Sequence, residues 1–231
     1  MAYQKQYDLA SGELVSVETL LRLRDENGDI IPNDKLIPLV EGESLFSLVV
    51  LASMQKLKEI FKFKKENNLD FTVYLNVSAY TAMQENFCKI ILDFVKENNL
   101  NPGDLGLEIT ETAELEDISR AAEYFENLKS HGIPLALDDF GAGYSSLSYL
   151  RDLPIKMVKL DKDFSRTVSE NDTQELVKFV VSICENMELD MLAEGIETQE
   201  QQETFLKLGC DKGQGYFHHR PQFLEEFKEE F

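Results

Sequence analysis

Short apolar runs and longer amphipathic segments alternate along almost the whole chain, and this order restricts the fold more than any other feature. The apolar runs predict β-strands, and the amphipathic segments predict α-helices. Regular alternation with short loops is typical of a parallel α/β fold. About seven or eight strand units in one domain's length favour a (β/α)8 TIM-like barrel over an open sheet. Because no repeat or linker divides the 231 residues, residues 1–231 are expected to form one domain.

The same patterns predict where each strand and helix begins and ends. Two strands between Met1 and Leu23 form a hairpin about the turn Ala10-Ser11-Gly12. Further strands are predicted at Phe71 to Ser78, Leu105 to Thr110, Leu135 into Gly143, Ile155 to Asp161, Asp190 to Glu197 and within Gly209 to Gly215. Helices are predicted at about Ser44 to Lys65, Ala82 to Asn98, Ile118 to Ser130, Tyr144 onward, Thr173 to Met187 and Gln199 to Leu208.

Net charge limits the partners of the chain. A formal charge of −20 works against binding a polymeric nucleic acid, and a phosphate substrate would need metal ions to supply positive charge. The acidic tail residues Glu225, Glu226, Glu229 and Glu230 are interpreted as a solvated face.

No run approaches the roughly 20 apolar residues of a membrane span, and no signal peptide is evident. Three cysteines without CxxC spacing indicate neither disulfides nor zinc, so a soluble cytoplasmic protein is predicted.

Polar residues stand at the carboxyl ends of the predicted strands. They are Glu18, Asn76, Glu108, Asp138, Asp139, Lys159, Asp161, Glu194, Glu197 and Gln214. In a barrel these ends converge on one face, so the residues should share one pocket. Oxygen ligands without His or Cys favour Mg²⁺ or Mn²⁺, and there are too many carboxylates for one ion. A carboxylate bridging two ions would suit in-line attack on a phosphodiester.

Each signal has a plainer alternative. Asp138 and Asp139 could only cap a turn by bonding backbone amides. Glu18 could face water from an edge strand. Lys159 could balance buried charge without a catalytic role.

Seven ordered motifs resemble those of the EAL-domain cyclic di-GMP phosphodiesterases, from about Tyr3 to Pro221. The motifs are Glu18-Thr-Leu-Leu-Arg22, Asn76-Val-Ser-Ala79, Leu107-Glu-Ile-Thr-Glu111, Asp138-Asp-Phe-Gly-Ala-Gly-Tyr-Ser-Ser-Leu147, Val158-Lys-Leu-Asp161, Ala193-Glu-Gly-Ile-Glu197 and Gly213-Gln-Gly215. The resemblance implies a (β/α)8-like barrel with one antiparallel strand. It also implies hydrolysis of cyclic di-GMP to linear pGpG with two Mg²⁺ or Mn²⁺ ions, often by a homodimer.

The resemblance also implies a role for each matching residue. The metal ligands would be Glu18, Asn76, Glu108, Asp138 as the bridge, Asp139 and Glu194. The catalytic residues would be Lys159 beside the attacking water, Glu194 as second-site ligand or general base, and Glu111, which would steady the loop from Phe140 to Ser146 that links the metal site to the dimer contact. The substrate would be bound by Arg22 through a phosphate, and by Asp161, Glu197 and Gln214.

Two residues depart from the family pattern. Thr19 replaces the alanine of the name-giving motif, but strand alternation turns its side chain away from Glu18 and the pocket. Lys5 stands where a proline usually follows Gln4. The chain also starts almost on its first strand, as if a sensory domain of a longer protein were missing.

The alternative function is a barrel that binds cyclic di-GMP without cleaving it. Such receptors typically have degenerate metal ligands, whereas this chain retains the carboxylates together with Asn76, Lys159 and Gln214. A barrel acting on an unrelated phosphate ester rests on fold analogy alone.

Overall fold

Eight strands close into a ring, and a ninth lies beside the first. The computed structural model describes residues 1–31, 44–84, 86–110, 118–142 and 147–231. Its strands are β1 Ala2–Asp8, β2 Leu14–Leu20, β3 Thr72–Val77, β4 Leu105–Thr110, β5 Leu135–Phe140, β6 Met157–Leu160, β7 Asp190–Ala193, β8 Lys212–Gly213 and β9 Gln222–Phe223. Its helices are α1 Ser44–Glu66, α2 Ala79–Ala82, α3 Phe87–Glu97, α4 Ile118–Ser130, α5 Leu147–Asp152, α6 Lys162–Thr167, α7 Asn171–Asn186, α8 Gln199–Leu208 and α9 Leu224–Lys228.

The strand directions confirm the predicted barrel. Strands β2 to β8 pair in parallel in chain order. Strand β1 closes the ring by pairing antiparallel with both β2 and β8, and β9 pairs with its first residues. The barrel therefore contains the one antiparallel strand that the resemblance implied.

Helices cover the outside of the barrel with apolar stripes. In α1 the buried residues Met54, Leu57 and Phe61 recur at helical spacing and face the strands. Burying each such side chain stabilises the fold by about 1.5–3 kcal/mol. Among the helices that the structure describes, we find none with the length and apolar character to cross a membrane.

The barrel interior is stacked in layers that follow the two-residue strand period. Tyr74, Ala136, Met157 and Leu192 form a buried apolar cluster inside the ring. Tyr74 fits there because strand β4 carries Gly106, where a Cβ atom would lie 2.4 Å from the tyrosine ring. The residue two positions after each apolar one points to the same interior, one layer nearer the carboxyl ends.

Thr19 lies on the outer face of β2, as strand alternation predicted. Its side chain is 1% exposed and lines a small cavity under α1, beside Val50 and Leu75. Its neighbour Glu18 points into the barrel, where Asn76 donates to it. The substitution in the name-giving motif is therefore a change in barrel-to-helix packing.

The predicted helix from Ala82 to Asn98 is wrong at its start. The hydroxyl of Ser78 accepts from the backbone N–H of Thr81 and begins the separate short helix α2. Helix α3 starts only at Phe87. Helix α6 was not predicted, and the predicted helix start at Tyr144 lies outside the described residues.

All four acidic tail residues are exposed, as predicted for a solvated face, but two of them also make specific contacts. Glu225 is exposed, but the carboxylate of Glu226 accepts from the backbone N–H of Phe223 at 3.2 Å and caps α9. Glu230 forms an ion pair with the buried Lys5. The contact of Glu230 has no local pattern that could predict it, because Lys5 lies at the other end of the chain.

Candidate active site

The mouth of the barrel collects a buried cluster of charged and amide side chains. Strands β2, β3, β4, β5 and β6 carry Glu18, Asn76, Glu108, Asp138 and Lys159. Glu194 and Gln214 follow directly after β7 and β8. Residues far apart in sequence meet here because parallel strands all present their carboxyl ends to the same side.

Lys159 lies at the centre of this cluster and is completely buried. Its Nζ is 2.8 Å from Asp138 Oδ1 and 2.9 Å from both Glu108 Oε2 and Glu194 Oε1. Glu18 Oε2 is the fourth neighbour, at 3.6 Å. One ammonium group thus faces four carboxylates, and the cluster has a strong excess of negative charge.

Side-chain amides hold these carboxylates in place. Gln214 Nε2 donates to Glu18 Oε2 and to Glu194 Oε1, at 2.8 Å each. Gln6 Nε2 in turn donates to Gln214 Oε1 at 2.8 Å. Asn76 Nδ2 donates to Glu18 Oε1 at 3.0 Å. The acceptor atoms of the cluster are therefore fixed by donors from β1, β3 and the loop after β8.

A local irregularity in β5 determines where the side chains of the two adjacent aspartates point. The pairing of β5 with β6 shifts register between Leu137 and Phe140, and Asp139 adopts a left-handed backbone with φ of 55°. In a regular strand, neighbouring side chains would point to opposite faces. The bulge allows the carboxylates of both Asp138 and Asp139 to join the cluster.

Two groups of carboxylates have the spacing of metal ligands. One consists of Glu18, Glu108 and Asp138, and the other of Asp138, Asp139 and Glu194. Within each group, one oxygen from every residue lies within 4.8 Å of the others. Asp138 belongs to both, and its buried Oδ1 lacks a hydrogen bond from the described residues although Lys159 is close. An all-oxygen set with this charge fits hard divalent cations.

Burial and mutual repulsion shift the pKa values of the cluster. Burial raises the pKa of Glu108, Glu194 and Asp138 despite the attraction of Lys159. Burial, followed by the charge of Asp138, raises the pKa of Asp139 to about 6. Burial alone would lower the pKa of Lys159, but the surrounding carboxylates raise it well above its ordinary value. The lysine stays protonated while the carboxyls compete for protons or cations.

The remaining predicted residues lie around the cluster. Arg22 is half-buried and donates from Nη1 to the carbonyl of Leu21, and burial lowers its pKa. Asp161 caps α6 by accepting from the N–H of Asp163 at 2.8 Å. Glu197 is exposed at a cleft beside Glu194. Glu111 lies outside the described residues.

A cleft of about 350 Å³ opens next to Glu194 and Gln214. Its other lining residues are Gln4, Lys162, Arg166, Gly195, Glu197, Gln201, Gly215 and Tyr216. Sequence reasoning missed Gln4 and Gln6 as site residues, although two glutamines at a strand period of two are a usable signal for an inward polar face. A larger cleft of about 640 Å³, lined by Lys58 and Lys65 among others, contains none of the predicted site residues.

Comparison with known proteins gives a consistent set of relatives. The family model described as the EAL domain matches residues 1–221. The cyclic di-GMP phosphodiesterase PdeA of Borreliella burgdorferi is 32% identical over 222 residues, which cover 95% of this chain and 33% of PdeA. The chain thus spans about a third of the length of the curated relatives that it matches.

Two solved structures have the same fold over nearly the whole chain. The PaMucR phosphodiesterase in complex with c-di-GMP superposes with a TM-score of 0.87 and 29% identity, covering 98% of this chain and 92% of that one. An EAL domain protein from Listeria monocytogenes has a TM-score of 0.83 and 27% identity, covering 100% of this chain and 91% of that one.

The raised carboxyl pKa values predict a pH dependence of metal stabilisation. Without metal, the pKa of Asp139 is about 6 in the folded protein, whereas the pKa of an aspartate in an unfolded chain is about 4. Rising pH therefore removes stability from the metal-free fold, because the native state binds more protons than the unfolded state. A cation needs these groups deprotonated, so the increase in Tm caused by Mn²⁺ should be larger at about pH 7.5 than at about pH 5.

Thermal unfolding with Mn²⁺ and with a chelator at both pH values measures this difference. Asp139→Asn is the matched variant, and its response to Mn²⁺ should be smaller and should vary less with pH. An equal Mn²⁺ shift at both pH values would contradict the assignment of these carboxyls as ligands.

Proposed function

Because this chain belongs to the EAL domain family, we propose that it hydrolyses cyclic di-GMP to linear pGpG with two Mg²⁺ or Mn²⁺ ions. The reaction adds water to one phosphorus and breaks one P–O bond, which opens the cyclic dinucleotide. The names of the relatives support the substrate, since PdeA is a cyclic di-GMP phosphodiesterase and PaMucR was solved with c-di-GMP.

One observation carries the proposal: two carboxylate groups share Asp138 at the barrel mouth, next to a buried lysine. Two ligand groups with a common member are what a pair of ions with a bridging carboxylate requires. Glu18, Asn76, Glu108 and Asp138 would hold the first ion. Asp138, Asp139 and Glu194 would hold the second. When bound, the ions would activate a water and offset the phosphate charge, which the acidic chain cannot do alone.

The chain's own residues would position the attacking water and the substrate, and would transfer protons. Lys159 is protonated and immobilised by its neighbours, so its Nζ can donate a hydrogen bond to the attacking water or to a phosphate oxygen. Glu194 lies at the edge of the open cleft, and burial raises its pKa, which makes its carboxylate a better proton acceptor. Arg22, Asp161, Glu197 and Gln214 would bind the substrate, with Arg22 at a phosphate. Glu111 would steady the loop from Phe140 to Ser146.

The alternative of a receptor without activity uses the same cleft. Degenerate metal ligands would favour it, whereas here Glu18, Glu108 and Asp138 converge with oxygens within 4.8 Å of one another. We therefore favour hydrolysis. The predicted cytoplasmic location, and regulation by a sensory domain elsewhere in a longer protein, stay predictions.

We also propose that the chain forms a homodimer through α7. Leu176 and Phe179 on this helix are 57% and 58% exposed, and Met187 just after it is 38% exposed. These residues follow helical spacing and form an apolar stripe beside the buried face of the helix. A two-fold axis across an antiparallel pair of α7 helices would bury both stripes.

The central test incubates the purified chain with cyclic di-GMP and Mn²⁺ and separates the products. Linear pGpG should appear, chelation should abolish it, and Mg²⁺ or Mn²⁺ should restore it. Ca²⁺ should support the reaction poorly because it is larger and tolerates irregular coordination. Full activity after exhaustive chelation would rule out the two-metal mechanism, and binding without any product would favour the receptor.

Lys159→Ala should separate chemistry from binding. Loss of the ammonium group should lower kcat by about 10²- to 10⁴-fold while cyclic di-GMP still binds, because positioning and proton transfer act mainly in the transition state. Steady-state kinetics and calorimetric binding measure the two effects. Lys156→Ala, just before the same strand and half-exposed, is the control. An unchanged kcat would reduce Lys159 to a charge-balancing residue.

Phe179→Glu should convert the dimer to a monomer, because a charge in the apolar stripe must be desolvated on association. Analytical ultracentrifugation gives the mass of each species. Lys178→Glu changes an exposed position on the side of α7 away from the stripe and should leave the dimer intact. A wild-type monomer, or a dimer that tolerates Phe179→Glu, would refute this interface.

A further inference from the structure

Lys5 is a lysine buried on the outer face of the barrel, where only 5% of its surface is exposed. Its Nζ donates to Glu230 Oε2. It also lies 5.0 Å from the centroid of the Phe227 ring and 4.8 Å from that of Phe231. We call Lys5, Phe227, Glu230 and Phe231 the tail clasp. An ion pair between two aromatic rings is a specific, geometrically defined contact.

The clasp is linked to the wall of the catalytic cleft through the segment 214–222. Glu230 accepts from Gln222 Nε2, and its Oε2 lies 3.4 Å from His219 Nδ1. The backbone N–H of His219 donates to the carbonyl of Gly215 at 3.0 Å. Gly215 and Tyr216 line the cleft beside Glu194. A continuous set of contacts therefore leads from the outer face of β1 to the substrate side of the barrel.

The segment 214–222 is tightly packed, so it has little freedom to keep its position if the tail clasp is lost. A Cβ atom on Gly215 would lie 2.0 Å from the carbonyl oxygen of Ile196, so this turn is packed directly against backbone. The backbone N–H of Phe217 donates to the same carbonyl at 2.9 Å. Gln4, which follows Tyr3 and precedes Lys5, donates from Nε2 to the carbonyl of His219 at 3.4 Å. Adjacent residues of β1 thus hold the segment from the inside and the outside.

We propose that Lys5 is a positioning residue that fixes the segment 214–222 through the tail clasp and so sets the substrate-binding wall of the cleft. This inference rests on the proposed function for its kinetic consequence, but its structural consequence is independent of catalysis. Gln214 contacts the carboxylates, but it is held separately by Gln6 of β1 at 2.8 Å, and Lys159 pairs with Glu108 directly. Loosening the rest of the segment should therefore affect substrate binding more than chemistry.

Lys5→Met tests the proposal because methionine keeps an apolar stem and removes the charge. We expect KM for cyclic di-GMP to rise roughly three- to tenfold with kcat within about twofold of wild type. Hydrogen exchange of the amides in residues 214–223 should become faster, while exchange in β4 and β5 should not change. Lys5→Arg keeps the cation and should restore both measurements.

Two further variants keep the test decisive. Lys207→Met removes an exposed lysine from α8 and is the matched control, expected to behave as wild type. Glu230→Gln removes the partner charge and should reproduce Lys5→Met, so it replaces that variant if Lys5→Met does not fold. If the wild-type protein does not hydrolyse cyclic di-GMP, the proposed function is refuted. Hydrogen exchange in residues 214–223 then still tests whether the tail clasp positions this segment. Unchanged exchange in 214–223, or equal losses in Lys5→Met and Lys5→Arg, would overturn the positioning role.

Discussion

The attraction between Lys159 and four buried carboxylates is the interaction on which the barrel mouth depends. Burying one ammonium group costs several kcal/mol unless its partners are well placed, and here Asp138, Glu108 and Glu194 all lie within 2.9 Å of it. The carboxylates exceed the charge of the lysine, however, so the attraction leaves a deficit of positive charge. The fold therefore creates a site that is complete only when protons or cations are added.

Much of this arrangement could be predicted because it follows the two-residue period of a strand. Tyr74 precedes Asn76 and Gly106 precedes Glu108 by two positions. A polar residue therefore lies two positions after an apolar or small residue of the inner layer, on the same face and nearer the carboxyl end of the strand. Strand and helix alternation then predicts the barrel, and the barrel predicts that the strand ends meet. The residues of the two carboxylate groups were accordingly named from the sequence, together with Lys159 and Gln214.

What the sequence did not predict depends on geometry that has no local pattern. The bulge at Asp139 requires a left-handed residue that is not glycine, which sequence statistics disfavour. The contact between Lys5 and Glu230 joins residues 225 positions apart, so neither looks unusual among its neighbours. The start of α3 at Phe87 was missed because the hydroxyl of Ser78 begins a separate turn first. In each case a specific contact overrides the average preference of the residue.

The backbone of Asp139 illustrates what this site means for evolution. A left-handed conformation costs most residues about 1–2 kcal/mol and aspartate less, and the carboxyl of Asp139 is also partly buried beside Asp138. Glycine would relieve both penalties. Selection for heat resistance alone would thus favour glycine over aspartate at this position. If Asp139 holds a metal ion as proposed, aspartate would persist here only in lineages where the reaction itself is under selection.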